Sequence, residues 1–147
     1  MSASSKSAGL FEQGYNCAQS TLAVFSTDLG IDENTAYKVA SGFGAGLGYR
    51  GEMCGAVVGA YMAIGMKYGF TRPSEQDKKD LTYRLIAEFL DEFKKRNGSV
   101  YCRELIGYET GDSDQLREAR EKNVFREICP KFVRDSAEIL ERLFRRD

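Results

Sequence analysis

The fold of this chain is decided by residues 51–68, which read GEMCGAVVGAYMAIGMKY. Glycine recurs every four residues at Gly51, Gly55 and Gly59, and bulky apolar side chains cover the other faces. Each interior glycine costs a helix up to about 1 kcal/mol relative to alanine, so we expect another backbone, a subunit or a ligand to approach this stripe closely. Because the segment is apolar on nearly all sides, it is predicted to form a central helix.

Two longer amphipathic helices are predicted on the C-terminal side of this segment. Residues 74–96 repeat an apolar side chain every four positions with charges opposite, and Asn97-Gly98 supplies a left-handed stop. A second amphipathic pattern follows Pro130, which suits the first turn of a helix because proline has no N–H to leave unpaired. Cys129 is therefore predicted at the N-cap of the last helix.

Three shorter helices are predicted where a capping residue precedes an apolar pattern. They run from Asn16 to Phe25, from Asp32 to Ala40 and from Ser99 to Gly107. Together these segments predict an all-α fold, a compact bundle of about six helices around the central glycine- and alanine-rich helix. The length of the chain predicts a single α-helical domain over residues 1–147.

The composition argues against two classes of protein. With 21 Lys and Arg against 22 Asp and Glu, the formal net charge of −1 provides no basic field of the kind that nucleic-acid binders need. No stretch of about 18 apolar residues predicts membrane insertion, and residues 1–9 lack the apolar core of a secretory signal. We therefore expect a cytoplasmic protein, in a compartment that keeps thiols reduced.

Four cysteines occur singly in a chain that contains no histidine, so acid–base, redox or soft-metal chemistry must rest on thiols. Each cysteine is predicted at or just before the start of a helix. Unpaired N–H groups and the helix dipole favour the thiolate over the thiol at such a position. The alternative is that these thiols are inert and buried as small apolar side chains. The four residues are Cys17, Cys54, Cys102 and Cys129.

A glycine-rich run precedes the central helix. Residues 46–51, GLGYRG, match the dinucleotide-binding pattern G-x-G-x-x-G, but we reject that interpretation because residues 34–40 are predicted to be helix rather than strand. A glycine loop can still present N–H groups and a cation to a thiolate, a sulfenate or a small oxyanion substrate. The structural alternative is a tight connection between helices. The predicted anion-binding residues are Gly48, Arg50, Gly51 and Gly55.

The cysteine motifs together resemble those of a known family. The chain carries GYNCA at residues 14–18, CGAVVG at residues 54–59, a single Cys102 and CPKFV at residues 129–133. Over about residues 14–143 this pattern resembles the C_GCAxxG_C_C family, small prokaryotic proteins that are called redox-active because of their cysteines. The family label writes Gly-Cys-Ala where this chain has Cys-Gly-Ala. The resemblance implies redox activity at these cysteines and brings no particular reaction with it.

The first hypothesis is a thiol–disulfide redox protein, a thiol-based oxidoreductase, in which Cys54 is the attacking thiolate. One of the other three cysteines then resolves the mixed disulfide or sulfenate. Cys54 is preferred because it combines a helix start, the glycine loop and the nearby Arg50. This hypothesis requires no cofactor, and the partner is a redox protein or a small thiol or oxyanion substrate.

Two further hypotheses belong to other classes. Four thiolates suit zinc or an iron–sulfur cluster, so Cys17, Cys54, Cys102 and Cys129 can be the ligands of a metal-binding or electron-transfer module. Alternatively, the chain is a helical interaction protein with inert thiols that forms a homodimer through its glycine stripe. The spatial arrangement of the four sulfur atoms discriminates between the redox and metal hypotheses.

Overall fold

The computed structural model describes residues 1–146, and its regular secondary structure is helical. Asp147, the last residue of the predicted domain, lies outside the described residues. Within residues 1–146 we count nine right-handed α-helices, so the all-α fold is confirmed and the expected number of about six is wrong. The helices are α1 (Ala3–Glu12), α2 (Cys17–Ala23), α3 (Ser26–Leu29), α4 (Glu33–Ala40), α5 (Gly55–Tyr68), α6 (Gln76–Asn97), α7 (Cys102–Ile106), α8 (Ser113–Glu121) and α9 (Val124–Phe144).

The additional helices are short or polar, so apolar periodicity did not predict them. Ser2 caps α1 by accepting a hydrogen bond from the Ser5 N–H (3.1 Å). Asp112 caps α8, a mostly polar helix. Helix α3 is a single turn that ends at the left-handed Gly30. The helix predicted from Asn16 to Phe25 corresponds to α2, and α3 begins at Ser26, just after the predicted segment ends.

Several predicted helix boundaries are confirmed. Asp32 caps α4 by accepting a hydrogen bond from the Thr35 N–H (3.1 Å). Gly98 and Gly107 adopt the left-handed conformation that ends α6 and α7. The predicted cap at Ser99 is wrong, because the N-cap of α7 is Tyr101. Ser99 Oγ instead accepts a hydrogen bond from the N–H of Tyr101, the N-cap residue (3.1 Å).

The last helix begins earlier than its sequence predicts. Helix α9 starts at Val124, after Asn123 in the left-handed conformation, and not at Pro130. Val124 is buried, so the apolar face extends one and a half turns beyond the predicted start. Pro130 lies inside the helix, where its missing N–H removes one backbone hydrogen bond. Cys129 is therefore in the second turn, and its predicted N-cap position is wrong.

A left-handed segment, defined as Gly44–Tyr49, connects the N-terminal helices to α5. Ala45 to Tyr49 all have φ between 54° and 74°. This conformation costs about 1–2 kcal/mol for each residue that carries a Cβ, and it is rarely sustained over five residues. The Gly46 carbonyl accepts hydrogen bonds from the Arg50 N–H (3.2 Å) and the Glu52 N–H (3.1 Å), which close the segment at its C-terminal end.

Helix α5 lies in the hydrophobic core, where α2, α6 and α9 pack against it. A Cβ added at Gly59 would lie 2.7 Å from the Ala18 carbonyl oxygen of α2, so the expected close approach at this stripe is confirmed. The approaching backbone belongs to the same chain, and a homodimer stays a prediction. Within residues 1–146, no helix combines the length and the apolar character needed to cross a membrane.

Candidate thiol site

The four cysteines line one cavity of about 250 Å³. All four are free thiols, and each residue is between 5% and 8% exposed. They come from the starts of α2, α5 and α7 and from the second turn of α9. The cavity is lined by Phe11, Glu12, Gly14, Tyr15, Asn16, Cys17, Ala45, Tyr49, Cys54, Gly55, Cys102, Leu105, Ile106, Phe125, Arg126, Cys129 and Phe132.

Cys17 is positioned by the capping box that begins α2. The Gln19 N–H donates to Asn16 Oδ1 (2.8 Å), and the Asn16 N–H donates to Gln19 Oε1 (3.0 Å). Asn16 Nδ2 also donates to the Ser41 carbonyl (2.9 Å), which ties this helix start to the turn before the left-handed segment. A Cβ added at Gly55 would overlap Cys17 Sγ, so the sulfur lies against the first residue of α5.

Cys54 and Cys102 are brought together by an isolated antiparallel bridge between Met53 and Tyr101. The Cys54 N–H donates to the Val100 carbonyl (2.7 Å), and the Cys102 N–H donates to the Glu52 carbonyl (2.7 Å). Each cysteine is thus fixed by its own backbone where a helix begins. Cys54 is the N-cap of α5, and Cys102 is the first residue of α7, as predicted for these two thiols.

Cys129 reaches the cavity from the side of a helix. Phe125 precedes it by four residues and Phe132 follows it by three, so the three side chains share one face of α9 and line the same cavity. Free backbone N–H groups are found in the first turn of a helix, and Cys129 lies beyond that turn. The expectation that all four cysteines begin a helix is confirmed for Cys17, Cys54 and Cys102 and is wrong for Cys129.

Burial raises the pKa of every thiol in the cavity. The pKa of Cys54 is well above its ordinary value because the thiol is desolvated, and the nearby Cys17 raises it further. Burial and the charge of Cys17 raise the pKa of Cys102 to about 12, and the same causes raise the pKa of Cys129. The expectation that the helix start lowers the pKa of Cys54 is therefore wrong, because desolvation outweighs the N–H groups of Ala56 and Val57.

Cys17 has the most favourable surroundings for a thiolate among the four cysteines. Burial raises its pKa, but the backbone N–H groups of Ala45, Ala18, Cys17 and Gly55 each oppose that rise. The Ala45 N–H is supplied by the left-handed segment. Charge repulsion between Cys17 and the other three thiols raises the pKa of those three further. The N–H groups that oppose the effect of burial on Cys17 come from three segments of the chain, namely α2, the left-handed segment and the start of α5.

The structure places the predicted anion-binding residues in different surroundings. Gly55 lines the cavity, whereas Gly48, Arg50 and Gly51 are not among its lining residues. The Arg50 side chain is exposed. The carbonyl of Gly51 instead accepts a hydrogen bond from Arg103 Nε (2.8 Å). Binding of an anion by this set of residues stays a prediction.

Several cavity residues were not predicted from the sequence. Tyr49, Phe125 and Phe132 contribute aromatic walls, and Arg126 and Glu12 contribute charge. Helical spacing could have predicted the aromatic neighbours of Cys129, because a helix that starts at Val124 places Phe125, Cys129 and Phe132 on one face. No comparable signal exists for Tyr49, whose position depends on the left-handed segment.

The arrangement of the possible ligands bears on the hypothesis of a metal site. In residues 1–146, no group of three or more His, Cys, Asp and Glu side chains is arranged to hold a metal ion. Ligation of one zinc ion by Cys17, Cys54, Cys102 and Cys129 would therefore require their side chains to rearrange. Metal binding by these cysteines stays a prediction.

The comparisons with known proteins add one finding. The family model described as "Putative redox-active protein (C_GCAxxG_C_C)" matches residues 15–143 of the chain. No curated protein and no solved structure matches the chain.

Proposed function

The chain belongs to the C_GCAxxG_C_C family, and we propose that its redox centre is the four-thiol cavity. The single observation that carries this proposal is that cysteines from four separate helices line one cavity and remain free thiols. These residues are far apart in the sequence, so only the fold brings them together. Inert thiols in a packed core have no physical reason to meet at one cavity.

Cys17, rather than Cys54, is proposed as the attacking thiol. The thiolate is the nucleophile in disulfide exchange, so the group that ionises first has the advantage. Backbone N–H groups from two other segments, at Ala45 and Gly55, favour the thiolate of Cys17, whereas the groups that favour the thiolate of Cys54, at Ala56 and Val57, belong to the helix that Cys54 caps. Cys54 is the proposed resolving thiol, because Cys17 Sγ lies against Gly55, its immediate neighbour in the chain.

The proposed reaction is a two-step thiol–disulfide exchange. The Cys17 thiolate attacks one sulfur of a substrate disulfide, a new S–S bond forms, and the other half of the substrate leaves as a thiolate that takes up a proton. The Cys54 thiolate then attacks Cys17 Sγ and releases the second half as a thiol. The substrate gains two electrons and the protein becomes a Cys17–Cys54 disulfide. A dithiol reductant restores both thiols by the same exchange.

Single substitutions test these roles. The reduced, metal-free protein is mixed with dipyridyl disulfide, and thiol release and protein mass are followed with time. We expect Cys54→Ser to retain one covalent adduct on Cys17, because the resolving thiol is missing. Cys17→Ser should react at least about tenfold more slowly than the parent, because the remaining thiols lack its N–H groups.

Substitutions at the other two cysteines are the matched controls. Cys102→Ser and Cys129→Ser should react as the parent does, and an adduct that accumulates in either one assigns resolution to that residue instead of Cys54. If Cys17→Ser reacts as fast as the parent, Cys17 is not the attacking thiol. If all four thiols react at one slow rate, the redox proposal fails and the thiols are structural.

A second candidate function is electron transfer through an iron–sulfur cluster held by the same four thiols. The observation that favours it is that four free cysteines from four helices line one cavity, and four thiolates are the usual ligand set of such a cluster. Positively charged iron would relieve the repulsion between the thiolates. Purification without oxygen, followed by iron and sulfide analysis and a visible spectrum, tests this candidate. A colourless protein without iron or sulfide removes it.

A further inference from the structure

The sulfur atoms can be reached only by a molecule that enters the cavity. Each cysteine is at most 8% exposed, and the cavity of about 250 Å³ lies below the range of about 300–1,000 Å³ that is typical for drug-sized ligands. A disulfide in a folded protein is flanked by two backbones, so it needs more room around its sulfur atoms than a free small disulfide does. The size of the cavity therefore favours a small molecule.

Five of the seventeen described residues that line the cavity are aromatic. Phe11, Tyr15, Tyr49, Phe125 and Phe132 contribute five rings from four different segments of the chain, and Leu105 and Ile106 add aliphatic surface. Aromatic side chains gain contact energy from flat partners in stacked or edge-to-face geometry. The chemistry of these walls therefore favours a ligand with one or two aromatic rings.

The charges around the cavity disfavour an ionic ligand. The charged side chains among its lining residues are Glu12 and Arg126, both exposed and opposite in sign. The buried ionisable groups of the lining are the four thiols, and an anion placed beside them would meet repulsion as soon as one of them ionises. A cation would lose its hydration without a buried carboxylate to replace it. The electrostatics therefore favour an uncharged ligand.

Tyr49 connects the left-handed segment to the aromatic wall of α9. Its ring meets Phe125 edge to face at 6.1 Å, and the Arg120 guanidinium lies 5.0 Å from its centroid. Tyr49 is 41% exposed and also lines the cavity, so it stands where the interior meets solvent. Loss of its ring should remove part of the binding surface without removing a thiol.

We propose that the cavity binds a small, uncharged aromatic molecule, and that the substrate of the thiol chemistry is an aromatic disulfide of this size. The second part of this inference rests on the proposed function, whereas the first part does not. One aryl sulfur of the substrate forms the bond to Cys17 and the other leaves as an aryl thiol. Attack by Cys54 on Cys17 Sγ then releases the first aryl group as a second thiol, so two electrons pass to the substrate and a Cys17–Cys54 disulfide remains.

Binding is tested with unreactive two-ring probes of matched size. The para-linked bipyridine is uncharged near neutral pH, its dimethylated form is a dication, and biphenyl dicarboxylate is a dianion. We expect calorimetry or NMR titration of the reduced protein to show binding of bipyridine at least about tenfold tighter than binding of either charged probe. Equal affinity for all three probes, or no binding of bipyridine, overturns the proposed ligand class.

Substitutions locate the binding site. Phe125→Ala and Tyr49→Ala should each weaken bipyridine binding about fivefold or more, because each removes a ring from the wall. Phe70→Ala is the matched control, since Phe70 is an exposed aromatic residue that does not line the cavity. If Phe70→Ala weakens binding as much as Phe125→Ala, the probe binds elsewhere and the inference is wrong.

Reaction rates then separate the inference from the proposed function. Dipyridyl disulfide, glutathione disulfide and a folded protein disulfide are compared, each rate being divided by that of a free small thiol with the same disulfide. We expect the normalised rate for dipyridyl disulfide to exceed the other two at least about tenfold. Bipyridine binding without any disulfide reaction overturns the proposed function and leaves the ligand class standing. Reaction without this preference overturns the proposed substrate.

Discussion

At the scale of single residues, the site depends on a glycine next to a sulfur. A Cβ at Gly55 would lie 2.8 Å from the Phe43 carbonyl oxygen and 3.1 Å from Gly44 Cα, in addition to overlapping Cys17 Sγ. The middle motif therefore needs glycine after Cys54 for a steric reason. Cys17, the left-handed segment and the start of α5 share the space that a methyl group would occupy.

Substitution of Gly55 tests this contact. We expect Gly55→Ala to lower the free energy of unfolding by about 1–3 kcal/mol through overpacking, and to slow the reaction of Cys17 because its sulfur must move. Gly65→Ala is the control within the same helix, since a Cβ there meets no atom within 4 Å. It should raise the stability by up to about 1 kcal/mol through helix propensity. Equal effects of the two substitutions in urea unfolding would contradict the packing at Cys17.

The thiols show what can and cannot be predicted at this scale. The sequence singles out the four cysteines, because a chain without histidine leaves few other reactive groups, and the fold brings all four to one cavity. Their role in a redox site stays a prediction. The sequence predicts a lowered pKa for Cys54, and the direction is wrong. The effect of the dipole depends on the helix start alone, whereas desolvation depends on how the whole fold buries the sulfur. Cys17 is predicted only as one of three possible resolving thiols, because two of its N–H donors, at Ala45 and Gly55, are distant from it in the sequence.

At the scale of elements, local signals predicted helices well where caps were explicit. The capping box at Asn16, the cap at Asp32 and the left-handed stop at Gly98 depend on neighbouring residues only, and all three are present. The predicted helix start at Pro130 is wrong. Proline is common in the first turn of a helix, but here the residues before it pack as part of α9 and place Pro130 inside the helix. Helices α1 and α8 have weak apolar patterns and gain their stability from the rest of the fold.

The left-handed segment could not be predicted, because alanine, leucine and tyrosine disfavour this conformation. Ala45→Gly should therefore raise the free energy of unfolding by about 0.5–1 kcal/mol, since glycine adopts positive φ without a Cβ penalty. Ala60→Gly makes the same chemical change inside the right-handed helix α5 and should destabilise by about 1 kcal/mol or more. Thermal and urea unfolding measure both. A loss of stability in Ala45→Gly that equals the loss in Ala60→Gly would show that residue 45 is not left-handed in solution.

At the scale of the whole molecule, four helices bring their cysteines to one cavity, and all four cysteines belong to the hydrophobic core. Surface ion pairs between α6 and α9, such as Arg96 with Glu138 (2.9 Å), are partly exposed and contribute little to stability. The core itself is apolar and well packed around Phe89, Phe93 and Leu140. The burial that stabilises this fold is also the burial that raises the pKa of each thiol, so site chemistry and stability are thermodynamically linked.

This linkage predicts how stability depends on pH. A raised pKa means that the folded protein keeps its thiol protons to a higher pH than the unfolded chain, whose thiols ionise near pH 8.5. Stability from this source is complete below about pH 8.5 and is lost as the pH rises toward the folded pKa values. For each thiol that stays protonated in the folded state, the free energy of unfolding should be about 1.4 kcal/mol lower at pH 9.5 than at pH 7.5.

Urea unfolding of the reduced protein at the two pH values measures this loss. The Cys102→Ala, Cys129→Ala double variant is the matched comparison, because it removes two of the four groups and should lose about half as much stability over the same interval. Tyr37 and Tyr61, whose pKa values are raised mainly by burial, contribute only above about pH 10. If parent and double variant lose the same free energy, the thiols are not the linked groups. Stability that rises toward pH 9.5 would mean that the folded protein favours thiolates, and Cys17 would then ionise more easily in the cavity than in water.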